Sequence, residues 1–138
     1  MTTAVAAALA NWNGGAYLPT CLAALEGQTH PLGEIVIVDN GSTDGSVEWL
    51  AACGKRLTLL RNQQNEGYCE GYNRAIAATD TPYVLVLNTD VYLDPGFVGA
   101  AIRVLDTHAE AAAVTGCFYE QATERTIGGG FRLRRQLR

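Results

Sequence analysis

Two aspartates each stand at the end of a hydrophobic run. Asp39 closes EIVIVD, and Asp90 closes the Asn88-Thr89-Asp90 triplet that follows YVLVL. A carboxylate at the end of a buried strand can accept hydrogen bonds from a base or a ribose, which is the chemistry open to Asp39. Asp90 can ligate Mg²⁺ or Mn²⁺, hard cations that prefer oxygen and bridge to phosphate oxygens. Each residue also has a plainer use. Asp39 or Asp44 can cap the helix that follows, aided by Ser42 and Thr43, a role that suits Asp44 better because Asp39 lies far upstream. Asn88, Thr89 and Asp90 can bond their own backbone in a tight turn. Spacing alone leaves both uses open.

Two further clusters carry polar chemistry. Asn65-Glu66-Gly67 opens a helix whose free amides favour anions, with Arg74 two turns in; the plainer reading is an N-cap and a solvated arginine. Trp12, within Asn11-Trp12-Asn13, can stack on a nucleobase or serve as an ordinary loop aromatic in the core. Familiar nucleotide signatures are missing: no GxGxxG follows the first strand, and GxxxxGK[ST] occurs nowhere. A phospho-acceptor domain would need an acidic pair after the first strand and a lysine after the fifth. The first strand ends in Asn11 and the sole lysine is Lys55, which excludes that class.

These residues must be positioned by regular elements, and the chain alternates short apolar runs with helical periodicities. Ala4–Ala10 reads as a first strand by context, against alanine's preference for helix. Leu18, Cys21, Leu22 and Leu25 form a helical stripe, with Pro19 in its first turn. Glu34–Val38 is apolar on both faces, as a strand covered on both sides should be. The polar loop Asp39–Gly45 leads to a helix carrying Val47, Leu50 and Ala51, and Leu57–Leu60 reads as a third strand. Gly67–Thr79 is expected to be helical with Tyr68, Tyr72 and Ile76 on one face. Tyr83–Leu87 is the clearest central strand. Asp94 and Pro95 are an N-cap and N1 pair for a helix whose stripe is Val98, Ala101, Ile102 and Leu105, and Ala112–Phe118 is a fifth strand. The order predicts an α/β fold: a three-layer α/β/α arrangement around a mostly parallel sheet with right-handed crossovers. Ligands of such sheets bind beyond the carboxyl ends of the strands. The four polar clusters (Asn11–Asn13, Asp39–Ser42, Asn62–Gly67 and Asn88–Asp90) should therefore meet on one rim.

Composition sets the remaining bounds. A chain of 138 residues has room for one domain, and 48% hydrophobic with 17% charged residues excludes a disordered or fibrous chain. The longest apolar stretches fall far short of the ~20 residues that span a bilayer. No Lys or Arg precedes Lys55, so a basic leader is not expected and the cytosol is the expected compartment. Cysteines 21, 53, 69 and 117 lack zinc spacing and read as scattered thiols. All 14 acids lie before Arg125, whereas the tail from Arg125 holds only bases. An acidic body argues against nucleic acid as a partner. It also requires that an anionic substrate be met by a metal, backbone amides or a few local cations.

Taken together, NWNGGAYLPTCLAAL, EIVIVDNGSTDGSVEWL, RNQQNEGYCEGYNRAI and YVLVLNTDVYLDPGF, in this order and at these separations, resemble family 2 glycosyltransferases. The nearest subgroup is the bacterial rhamnosyltransferase-like enzymes, and the likeness covers about residues 4–105. The resemblance implies the Rossmann-like nucleotide-binding half of a GT-A fold, with a UDP- or dTDP-sugar donor on the rim. By position, Asn11 and Trp12 would flank the base, Asp39 would contact base or ribose, and Asn65, Gly67 and Arg74 would line the nucleotide and phosphate side. Asn88-Thr89-Asp90 stands where the family has its DxD, with Asp90 as ligand to Mg²⁺ or Mn²⁺ and Asn88 in place of the first acid. Such enzymes invert: an acceptor hydroxyl, deprotonated by a carboxylate, displaces the nucleoside diphosphate in one step. The implied product is a cell-surface polysaccharide or glycolipid, made on an acceptor glycan or lipid-linked glycan.

Family members extend well beyond this length and draw their base and acceptor pocket from the second half. The chain is therefore expected to be the donor-binding portion, with the acceptor half missing. Glu120 and Glu124 do not match the family's base, so the catalytic base is unassigned. A non-catalytic nucleotide-sugar-binding module, or an inactive fragment that self-associates as a homodimer through an uncovered sheet edge, is the alternative. The tail, residues 125–138, with Phe131, Leu133 and Leu137 among arginines, suits peripheral contact with the anionic inner face of a membrane. A loop or strand lacking its partner is the plainer account of it.

Overall fold

A computed structural model describes residues 4–54, 57–120 and 126–129. They form two compact units, Met1–Gly96 and Phe97–Arg138. The first contains β1 (Val5–Asn11), α1 (Leu18–Glu26), β2 (Glu34–Asp39), α2 (Ser46–Ala52), β3 (Leu57–Arg61), α3 (Tyr68–Ala77) and β4 (Tyr83–Asn88). The second contains α4 (Phe97–Thr107), β5 (Cys117–Tyr119) and β6 (Thr126–Gly129).

The four strands of the first unit form one parallel sheet in the order β3-β2-β1-β4. Alternation along β2 sorts the core. Ile35 and Ile37 face one side, where they join Leu18, Leu22 and Leu25 of α1 and Leu50 of α2. Val36 and Val38 face the other, where Ala75 of α3 packs. Helices thus cover both faces, which is the expected three-layer α/β/α arrangement. Burial of each of Leu9, Leu18, Leu25 and Ile37, all 1% exposed or less, contributes about 1.5–3 kcal/mol.

Alanine-rich β1 is a strand because its position overrides its propensity. It lies between β2 and β4, its residues Ala6–Leu9 are wholly buried, and its small side chains admit α3 at close range. A Cβ added at Gly71 of α3 would stand 3.0 Å from Cβ of Ala10.

Several expectations are corrected. Among the described residues β4 is an edge of this sheet and not its centre, and Val86 is 48% exposed. A run such as YVLVL reports that a strand is apolar, not how many neighbours it has. The face of α3 that is buried is Gly71, Tyr72 and Ala75, leaving Tyr68 and Ile76 exposed. Ala51 of α2 is exposed. Asp94 and Pro95 do not start α4, which begins at Phe97. Their carbonyls instead accept hydrogen bonds from Gln28 Nε2 at 2.8 Å and from the Thr29 amide at 2.8 Å.

The fifth strand shrinks to Cys117–Tyr119 and pairs antiparallel with β6 in a separate two-stranded sheet. Its three residues are exposed, which a central parallel strand could not be. Gly116, just before it, lies against Phe97: a Cβ there would meet the ring at 2.4 Å. Of the basic tail expected from Arg125, every arginine lies outside the described residues.

Candidate functional site

Register decides where the polar turns meet. Asn11 pairs with Asp39, Asp39 with Arg61, and Ala10 with Asn88, so the carboxyl ends of all four strands finish level. The chain leaves β1 toward β2 on one side and returns to β4 on the other. The crevice between the ends of β1 and β4 is therefore the topological switch point, where open parallel sheets bind ligands. A depression of about 270 Å³ lies there, lined by Trp12, Asn13, Tyr68, Asn88 and Asp90 among others.

The expected site residues divide into three groups. Trp12 (59% exposed), Asn88 and Asp90 line this depression. Asp90 is exposed and makes no hydrogen bond or ion pair among the described residues.

Asn11 and Asp39 lie beneath the rim, 0% and 1% exposed. Asp39 Oδ1 accepts from Asn11 Nδ2 at 2.8 Å and from Ser42 Oγ at 2.6 Å. Its Oδ2 accepts from the amides of Gly41 at 3.1 Å and Ser42 at 3.0 Å. The carboxylate is thus occupied in shaping its own loop. Asn11 Nδ2 also approaches Ser46 Oγ at 3.0 Å, while its Oδ1 is buried without a partner. Gly14 closes over that oxygen: a Cβ there would come within 2.4 Å of it.

Asn65, Gly67 and Arg74 form the third group, on the far side of α3's start. Asn65 Oδ1 accepts from the Gly67 amide at 2.9 Å, and Gly67 has φ +91°, a conformation that excludes side chains at low cost. Arg74 is exposed, as a solvated arginine would be, but it is also hydrogen-bonded. Its Nη1 donates to the Arg61 carbonyl at 3.2 Å and to Asn62 Oδ1. With Arg61 and Glu66 it lines a second depression of about 470 Å³.

Sequence reasoning placed Asn40 and Asn62 in the rim clusters but gave neither a role, and it is they that tie these groups together. Asn40 Nδ2 donates to the Gly67 carbonyl at 3.1 Å, and Asn62 Nδ2 donates to Asn40 Oδ1 at 2.7 Å. A chain Gly67–Asn40–Asn62–Arg74 therefore fixes the loops after β2 and β3 against α3. Both asparagines directly follow the last residue of a strand, the one signal that could have singled them out. Tyr68 and Tyr72, expected on one face of this helix, converge on Asn88 from the first turns of α3. Their rings tilt at 54° with centroids 4.5 Å apart.

Asp44 takes the role expected of it only in part. Gly45 is the N-cap of α2, but Asp44 Oδ1 accepts from the Ser46 amide at 3.1 Å and Ser46 Oγ at 2.5 Å. Its Oδ2 accepts from the Gly15 amide at 2.8 Å, which ties α2 to the loop after β1. The Ser46 hydroxyl bond first, then the Gly15 amide, hold its pKa below the usual carboxylate value. A lowered folded-state pKa contributes stability above the unfolded value that is lost as pH falls through the folded one. Asp44→Asn is accordingly expected to flatten the acid limb of melting temperature against pH, scanned from about pH 5 to about pH 2. An acid limb identical to that of the wild type would refute this.

The thiols are sorted by burial. Cys21 is buried, whereas Cys53, Cys69 and Cys117 are exposed. Burial, and secondarily the charge of Asp90, push Cys21 up to about 11, so it carries essentially no thiolate at neutral pH. A disulfide reagent is expected to modify three thiols of the native chain rapidly and the fourth only on unfolding. Four rapid thiols would show Cys21 to be accessible.

With this geometry in place, the comparisons with known proteins are decisive. The profile of Glycosyl transferase family 2 matches residues 8–136. The chain belongs to that family. It is 30% identical over 105 residues to EpsH of Bacillus subtilis, covering 74% of this chain and 30% of EpsH. It is 36% identical over 69 residues to the succinoglycan biosynthesis protein ExoU of Rhizobium meliloti, covering 48% of this chain and 20% of ExoU. Against the PGL/p-HBAD biosynthesis glycosyltransferase of Mycobacterium bovis it is 28% identical over 130 residues, or 91% of this chain and 50% of the relative. The chain thus spans between a fifth and half of the length of these relatives.

Among solved structures, TarS 1–349 of S. aureus in complex with UDP superposes with a TM-score of 0.68 over 77% of this chain and 33% of that one, at 22% identity. The same TarS region in complex with UDP-GlcNAc gives 0.69. The fold is that of the GT-A glycosyltransferases, as expected.

Family 2 enzymes of this fold generally use a divalent metal. No three His, Cys, Asp or Glu side chains gather among the described residues. Among the described residues that line the depression between β1 and β4, the one carboxylate is Asp90. That donor set fits a magnesium-like ion, which binds through one or two carboxylates and takes its other ligands from water and substrate phosphates. It does not fit zinc, which needs three or four protein ligands.

Proposed function

We propose that this family 2 chain binds the nucleotide diphosphate of a UDP- or dTDP-sugar in the crevice between β1 and β4. The single observation that carries the reading is the pairing, across one depression at the switch point, of exposed Trp12 with the unengaged carboxylate of Asp90. Trp12 offers a face on which a base stacks. Asp90 would hold Mg²⁺ or Mn²⁺, which when bound offsets the charge on the leaving diphosphate. Asn11 and Asp39 act from below, keeping the loops under the base in shape. Arg74, with Asn65 and Gly67, supplies the cationic outer wall.

The reaction is inverting transfer. The acceptor hydroxyl loses its proton to a carboxylate as its oxygen bonds to the anomeric carbon, and the bond from that carbon to the diphosphate oxygen breaks. The acceptor is a glycan or lipid-linked glycan in polysaccharide or glycolipid synthesis; ExoU is named for succinoglycan biosynthesis and the mycobacterial relative for PGL/p-HBAD biosynthesis. Residues 1–138 then act as one donor-binding portion on the cytoplasmic side, with the basic tail at the inner membrane face. Among the described residues no helix is long and apolar enough to cross a membrane. The exposed β4 edge is the surface on which a second copy would pair.

Thermal-shift titration with UDP, dTDP and GDP, each with and without Mn²⁺, tests the reading. A rise in melting temperature with UDP or dTDP that grows with Mn²⁺ is expected. Absence of any nucleotide-dependent rise would remove it.

A further inference from the structure

Asn88 occupies the place where an acid would offer two oxygens to the depression, and the structure constrains which of its atoms remains available. The Tyr72 hydroxyl lies 2.7 Å from Asn88 Oδ1 and 3.0 Å from the Leu87 carbonyl, and the Tyr68 hydroxyl reaches the same Oδ1 at 3.1 Å. Burial, and then the neighbouring Tyr68, raise the Tyr72 hydroxyl well above its ordinary pKa, so it stays protonated and donates. Tyr72 itself is 5% exposed and locked in the face of α3. Asn88 Oδ1 therefore accepts from the Tyr68 hydroxyl and from a Tyr72 hydroxyl whose one proton it shares with the Leu87 carbonyl. What is left of Asn88 at the depression is its Nδ2, two N–H donors that make no hydrogen bond among the described residues.

Resting on the nucleotide-sugar reading above, we propose that Tyr68 and Tyr72 are positioning residues that hold Asn88 as a hydrogen-bond donor to the anionic part of the ligand. Asn88 is then removed from the cation's ligand set, and Asp90 is the one carboxylate this turn gives to Mg²⁺ or Mn²⁺. The electrostatic logic is direct. A second carboxylate at this position would repel a diphosphate until a cation arrived, whereas an amide donor attracts it beforehand. This chain therefore has a component of diphosphate affinity that does not depend on metal.

Calorimetric titration of the 138-residue chain with UDP, in chelator and in Mn²⁺, separates the possibilities. Asn88→Asp keeps both phenol bonds but presents oxygen where the wild type presents N–H. It is expected to weaken UDP binding in chelator about tenfold and to weaken it less, or strengthen it, in Mn²⁺. Tyr68→Phe frees one lone pair of Oδ1 and lets the amide rotate, with an expected loss of about threefold in chelator. Added to Asn88→Asp, the same change is expected to cost nothing more, because the donor whose orientation it controlled is gone. Circular dichroism confirms that each variant is folded. A Tyr68 that merely supports structure would lower affinity equally in both backgrounds and in both buffers, and that outcome overturns the proposal. So does an Asn88→Asp protein that binds UDP in chelator as well as the wild type. Wild-type protein that binds no UDP in either buffer overturns the nucleotide reading as well, and is distinguishable from those two results.

Discussion

Asp90→Ala is expected to abolish the Mn²⁺-dependent part of nucleotide binding, leaving the same small UDP-induced rise in melting temperature with and without the metal. The argument is one of donor supply. Among the described residues no group of three or more His, Cys, Asp or Glu side chains gathers, Asp90 is the one acid lining the depression, and Asn88 Oδ1 faces the hydroxyls of Tyr68 and Tyr72. Deleting the carboxylate removes the one acid that lines the depression among the described residues. A charge-assisted ligand of this kind is worth at least about 3 kcal/mol, or roughly a hundredfold in Mn²⁺-dependent affinity. Because Asp90 is exposed and unbonded, the substitution should leave the melting temperature of the free protein nearly unchanged. That combination, lost metal response with intact stability, identifies a ligand. A variant that still responds to Mn²⁺ would place the cation elsewhere.

Asp39→Ala carries the opposite signature. Its carboxylate accepts four hydrogen bonds, from Asn11 Nδ2, Ser42 Oγ and the amides of Gly41 and Ser42, in a site 1% exposed. Removing the acceptor leaves the Gly41 and Ser42 amides and the Ser42 hydroxyl without it, whereas Asn11 Nδ2 keeps Ser46 Oγ. Each buried orphan costs about 1–3 kcal/mol, partly relieved where water can enter. A net loss near 3 kcal/mol, or roughly 10–15 °C in melting temperature, is expected. Nucleotide binding should weaken as well, because the loop that supports the rim loosens. Calorimetric melting of the free protein checks the first effect. A variant as stable as the wild type would mean that Asp39 does not organise its loop, and that its carboxylate is spare for a ligand after all.

The contrast between these two aspartates shows how far a sequence can be read. Both end apolar runs, and both were expected to face a ligand. Hydrophobic pattern revealed that each follows a strand and that both turns lie on one rim, which the level strand ends bear out. It could not reveal that Asp39 turns inward to meet Asn11 and Ser42 whereas Asp90 turns out. That difference depends on partners 28 and 3 residues away for Asp39. The same limit hid the roles of Asn40 and Asn62, whose bonds to each other and to Gly67 and Arg74 join the loops after β2 and β3 to α3. It also misjudged YVLVL as central, since apolar composition does not count neighbours.

The amino-acid order by itself determined that this chain is an α/β protein with its polar turns at the strand ends. Those features follow from local periodicity and from residue types at short separations. Tertiary structure alone decided which turn residues are spent holding the rim together and which are left facing the depression between β1 and β4. A hydrogen bond between loops far apart in the chain satisfies a polar group as fully as a ligand would, and only the folded arrangement shows which of the two a given side chain has found.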